Sequence, residues 1–112
     1  MWAEKPLQNV PQELAAATTS LWQYNDVVRV GVIRGSTFLV PPYLWAEVLK
    51  PSLGALRQGK KMLNEFQQLT NLPVVFAETD PAMPANADFL QFVGFELIST
   101  EGPRYLFKRS II

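Results

Sequence analysis

Two groups of side chains in this 112-residue chain have types and spacings that could do chemistry. Arg57-Gln-Gly-Lys-Lys61 sets three cations around a glycine, and a helix starting near Gly59 would turn its first amides toward an anion held there. The same cations also read as a solvated helix edge, with Lys61 and Glu65 four apart and weakly paired. Glu78 and Asp80 near a strand end offer carboxylates to a divalent cation or a general base, but two acids flanking a threonine ahead of Pro81 read first as a turn. Asp88 reads as a helix-start residue rather than an acid catalyst. Tyr43 and Tyr105 could donate protons, but the sequence identifies a partner for neither. Trp22, Trp45, Phe76, Phe92, Phe95 and Phe107 read as packing residues, because no basic stripe accompanies them as a base-stacking platform requires. The residues by themselves therefore assign no catalytic, cofactor-binding or metal-binding position.

Composition narrows the classes further. With 48% hydrophobic residues the chain can bury one core, and one globular domain over residues 1–112 is expected, with residues 1–10 as an N-terminal arm anchored by Trp2. Ten basic and ten acidic side chains cancel, so no summed positive field gathers a phosphate backbone, and nucleic acid is not an expected partner. Without Cys or His there is no thiolate, no disulfide, no cysteine-ligated zinc and no imidazole proton shuttle. The N-terminus lacks a secretory layout and the apolar runs fall short of the ~20 residues that span a bilayer, so a soluble intracellular protein without a membrane partner is expected.

The elements that must position these groups follow from periodicity. Pro11–Tyr24 reads as a helix, with Leu14, Ala17 or Thr18, Leu21 and Trp22 near three- and four-residue spacing. Val27–Ile33 and Ser36–Val40 read as a hairpin turning at Arg34-Gly35. Pro41-Pro42 ends its second strand, and Tyr43–Leu49 reads as a short helix before Pro51. Leu53–Leu69 carries a broad apolar face and reads as the main helix, although Gly54 and Gly59 each disfavour it by roughly 1 kcal/mol relative to Ala. Val74–Glu78 is a strand, and a helix beginning at Asn86 or Asp88 leaves through a left-handed Gly94. Phe95–Thr100 and Arg104–Arg109 form a closing hairpin. The sum is an α+β fold, a mixed sheet of about five strands with helices on its faces.

The segment Val27–Arg109, through this element order together with Phe89 and Gly94-Phe95, resembles the GNAT superfamily of N-acetyltransferases with a shortened N-terminus. The resemblance implies a signature Gln/Arg-x-x-Gly-x-Gly/Ala loop whose amides hold the diphosphate of acetyl-CoA, a Tyr four residues before the glycine that protonates the leaving thiolate, and an Asn at a strand end. The loop position matches Pro41-Pro42-Tyr43, where two prolines remove donors and Glu47 follows. The Tyr position is Leu90, and the Asn position falls in Asp80–Met83, a proline-rich loop. Arg57–Lys61 is the competing match to the phosphate loop.

A narrower resemblance joins Ser36–Trp45, the Leu53–Leu69 helix, Val74-Val-Phe76 and Phe89–Gly94 to small GNAT-like internal virion or assembly proteins of short-tailed bacteriophages. It implies a non-catalytic phage protein without cofactor, in the host cytoplasm or the virion, that acts by contact with other structural or assembly proteins. Trp2, Trp45 or Ile111-Ile112 would then supply interface. The alternative is an acetyl-CoA-dependent N-acetyltransferase with a variant phosphate loop at Arg57–Lys61.

Overall fold

The computed structural model describes residues 1–34, 41–50 and 53–111, with the side chains of residues 55 and 56 outside the description. Two compact units emerge, Met1–Leu56 and Arg57–Ile112. The expected strand Ser36–Val40, its turn at Gly35, and Pro51, Ser52 and Ile112 lie outside the described residues.

In the first unit four strands run in antiparallel order: β1 (Trp2–Lys5), β2 (Thr18–Tyr24), β3 (Val28–Ile33) and β4 (Tyr43–Val48). The expected helix over Pro11–Tyr24 is corrected to a four-residue α1 (Gln12–Ala15) followed by β2. The reason lies in one extra residue. Thr18 faces Ile33 while Ser20 already faces Val32, so Thr19 is a bulge. The bulge brings Thr18 and Leu21 inside together although they are three apart, a spacing that otherwise signals a helix. Tyr43–Leu49 is likewise corrected from helix to strand, because pairing along the whole of β3 outweighs the helix reading that the flanking prolines invite.

The N-terminal arm docks as β1. Trp2 is buried and meets the Tyr24 ring edge-on at 5.4 Å between centroids, as its anchoring role requires. β3 lies between β2 and β4 with Arg29, Val30, Gly31 and Val32 all buried. Gly31 is small for a reason: a Cβ there would sit 2.0 Å from Trp45 Cε2. The buried Arg29 guanidinium lies 5.6 Å from the Trp45 ring centroid and donates to Gln8 O, Asn9 O and Glu47 Oε2 at 2.8–3.0 Å, which ties the β1–α1 segment to the sheet.

The second unit orders its strands β5 (Val74–Thr79), β7 (Tyr105–Ser110) and β6 (Glu96–Ser99), again antiparallel. The described residues thus hold seven strands, against the expected five or so. The long helix is divided into α2 (Leu53–Arg57) and α3 (Gly59–Leu69), with Gln58 between them at φ −91° and ψ 0°. Met62 and Phe66 of α3 pack into a core with Leu72, Val75, Val93 and Phe107. Burying such a side chain contributes roughly 1.5–3 kcal/mol. α4 (Pro84–Phe92) starts earlier than expected because Pro84 suits the first helical turn, so Asp88 is mid-helix and exposed rather than a cap. Its exit matches expectation: Gly94 has φ 104°, and Phe95 N–H donates to Leu90 O at 2.9 Å across the left-handed turn.

Candidate functional site

The start of α3 changes the balance of the sequence reading. The helix does not run unbroken from Leu53, so the amides near Gly59 belong to a first turn rather than to a helix interior. Gln58 is the N-cap residue and offers no side-chain cap, and no acidic residue lies in the first turn. The first backbone bond of that turn runs from Met62 N–H to Gln58 O at 2.9 Å. Arg57, Lys60 and Lys61 are exposed. Among the described residues none of them is in an ion pair, and the expected Lys61–Glu65 pair is not made.

Beneath this turn is a group that the sequence reading passed over. Arg109 on β7 is fully buried, and Nη2 donates to Lys60 O at 2.9 Å. Nη1 donates to Asn64 Oδ1 and Gln67 Oε1, each at 2.7 Å, and Nε donates to Val93 O at 2.9 Å. All four acceptors are neutral, so a whole positive charge sits inside the unit against the opening turn of α3. Desolvation pushes the guanidinium below its ordinary value, yet it stays protonated at any pH the fold meets. The available signal was the alternation Tyr105, Phe107, Arg109, which puts the arginine on the inward face of β7.

The fit to a diphosphate is therefore one of charge and helix polarity. A helix start without a side-chain cap and three cations that are in no ion pair among the described residues suit an anion. Gly59 plays a different part from that of a cradle glycine, since a Cβ there would lie 2.6 Å from Val93 Cγ1. It lets α3 approach the α4 exit.

The match of the signature loop to Pro41-Pro42-Tyr43 is corrected. Tyr43 onward is β4, whose residues pair with β3 from Ile33–Tyr43 to Val28–Val48. The two prolines precede a strand and say nothing about a loop that follows it. The elements after β4 run α2, α3 and β5, and Arg57–Lys61 spans the junction of α2 and α3.

The remaining candidates separate. Asp80 closes a turn, its Oδ1 accepting from Ala82 N–H at 2.9 Å, and Glu78 lies 3.5 Å from Arg104, so both carboxylates read as structural. Among the described residues no three His, Cys, Asp or Glu side chains gather as a metal site. Leu90, the position that the resemblance gives to the proton donor, is half-buried on α4. Tyr43 opens β4, and Tyr105 faces Thr79 across β5–β7. Thr79 Oγ1 is buried with no hydrogen-bond partner among the described residues, which marks that strand end as polar and unfinished. Sequence alone gave no sign of it. Trp45 is half-buried and committed, its Nε1 donating to Thr18 Oγ1 at 3.0 Å. Among the described residues no helix is long and apolar enough to cross a membrane.

No protein-family model and no curated sequence matches this chain. Solved structures do match its fold. A spermidine N-acetyltransferase chimera from Vibrio cholerae and hSSAT superposes with TM-score 0.58 at 10% identity, over 81% of this chain and 66% of its own length. An aminoglycoside acetyltransferase in complex with coenzyme A and kanamycin gives TM-score 0.59 at 13% identity, over 92% of this chain and 73% of its own. The aminoglycoside N(6')-acetyltransferase from Legionella pneumophila gives 0.61 at 16%, over 82% and 63%. At these identities the likeness shows the fold alone: the chain has the α+β fold of GNAT-superfamily acetyltransferases, and it spans less than two thirds of the length of the spermidine and Legionella enzymes.

Proposed function

We propose that the first turn of α3 binds the diphosphate of an acyl-coenzyme A, and that the chain is an N-acetyltransferase with a variant phosphate loop at Arg57–Lys61. One observation carries this reading: α3 begins at Gly59, with Arg57, Lys60 and Lys61 exposed around an uncapped helix start. The cations would hold the diphosphate, and Arg109 beneath Lys60 would keep the turn in place and add to its positive potential. The bound thioester supplies the activated acetyl group. Leu90 has no proton for the departing thiolate, so on this reading the proton comes from Tyr105 or from solvent. The fold neighbours that act on spermidine and aminoglycosides support an amine as acceptor.

The test is thiol release from acetyl-coenzyme A with a panel of primary amines. Amine-dependent release that falls in Lys60→Glu/Lys61→Glu supports the reading. Gly59→Asp is a poor probe, because any side chain there meets Val93 before it meets a ligand.

Leu90 also favours a second reading, a non-catalytic GNAT-like phage protein that acts by protein contact in the virion or its assembly. It predicts no thiol release with any amine, and recovery of the chain with purified particles or assembly intermediates.

A further inference from the structure

We propose that the outer edge of β6 takes up a short basic peptide as an added antiparallel or parallel strand. β6 ends the strand order and hydrogen-bonds to β7 on one side, and among the described residues no strand pairs with its other side. Backbone N–H and C=O groups on such an edge are a template for an extended chain. Glu96, Leu97 and Ile98 are exposed and Ser99 half-buried, with Leu97 39% and Ile98 44% accessible. A shallow depression of about 430 Å³ is lined by Leu97, Ile98, Ser99, Thr100 and Glu101, so two apolar side chains and a carboxylate share one concave surface.

Charge selects the occupant. From Asp80 to Pro103 the sequence carries Asp80, Asp88, Glu96 and Glu101 and no Lys or Arg. Two cations border this stretch and both face acids already: Lys108 stands opposite Glu96, and Arg104 is paired with Glu78. Asp88 and Glu101 are in no ion pair among the described residues. A strand with Lys or Arg beside small apolar residues would match both the carboxylates and Leu97–Ile98. A second copy of this chain matches worse, since two β6 edges related by a two-fold axis would bring Glu96 and Glu101 of each against carboxylates of the other. The register passes from Leu97–Phe107 to Ser99–Leu106, so Ile98 is a bulge, and the edge offered by β6 is four residues long.

The experiment is an NMR titration of the full chain with the capped pentapeptide Lys-Val-Lys-Val-Lys, with Glu-Val-Glu-Val-Glu as control and amide hydrogen exchange as a second readout. The expected result is shifts centred on residues 96–101, slower exchange of β6 amides, weaker binding as salt rises, and a loss of affinity of about tenfold in Glu101→Lys, whose exposed turn position leaves the melting temperature unchanged. Equal binding of the acidic peptide, shifts confined to other elements, or no binding at millimolar peptide would overturn the proposal. So would a concentration-dependent doubling of mass with shifts at β6 in the absence of peptide, which would give the edge to a second copy.

Discussion

Arg109 and Gln67 hold each other twice: Nη1 of the arginine donates to Gln67 Oε1 at 2.7 Å, and Gln67 Nε2 donates to the carbonyl oxygen of Arg109 at 3.3 Å. Both residues are fully buried, and Nε2 also donates to Leu72 O at 2.9 Å. The pair joins β7 to both ends of α3. Among the described residues no carboxylate shares in it, so its strength comes from charge-assisted bonds to neutral oxygens in a region of low dielectric.

Arg109→Met should therefore cost at least about 3 kcal/mol in urea unfolding, because it strips the partner from several buried oxygens at roughly 1–3 kcal/mol each. Arg109→Lys should recover only a fraction. An ammonium on a single stem cannot reach Val93 O, Lys60 O and the two amide oxygens together.

Gly31→Ala should lower stability by about 3 kcal/mol or more, since its Cβ would overlap Trp45 at 2.0 Å and the ring is held by Thr18. In the double variant with Trp45→Ala the two costs should not add. A coupling energy near zero would mean that the two residues do not meet.

Gly54 and Gly59 should respond to alanine with opposite signs. Among the described residues nothing lies within 4 Å of a Cβ at Gly54, so Gly54→Ala should stabilise by about 0.5–1 kcal/mol through helix propensity. Gly59→Ala should destabilise, because the contact with Val93 Cγ1 at 2.6 Å outweighs the same propensity gain. Val93→Ala in the Gly59→Ala background should return part of the loss. Thermal melts of the four proteins decide it.

Lys50 donates to Asp26, and that hydrogen bond is the main reason the Asp26 carboxyl is held below its usual range. A lowered folded pKa means that the contribution to stability is present above the unfolded value of about 3.9 and is lost as pH falls through the folded one. Both side chains are largely in water, so the effect should be small and should shrink with salt. Comparing Asp26→Asn with the parent chain at pH 7 and at pH 2.5 should show the larger difference at the higher pH.

The second unit was largely legible because its signals are local. A glycine that must adopt φ 104° marks the end of α4, and alternation marks β5 and β7. The first unit was not, because its decisive features act across strands. The Thr19 bulge mimics helical spacing in β2, and β4 reads as a strand only once β3 lies beside it. The break at Gln58 is equally hidden, since the apolar face from Leu53 to Leu69 continues through it. As for the site, Arg57–Lys61 could be named from residue types, but its meaning depended on where α3 begins. Arg109 supports that turn through acceptors 16 to 49 residues away, which no local pattern records.

The central claim is that the opening turn of α3 grips a diphosphate. The most direct measurement is titration of coenzyme A followed through the backbone amides of residues 57–62, beside the melting temperature. The account predicts saturable shifts concentrated in those amides and a concentration-dependent rise in melting temperature, both lost in Lys60→Glu/Lys61→Glu. A spectrum and a melting temperature that do not move at millimolar coenzyme A would contradict it.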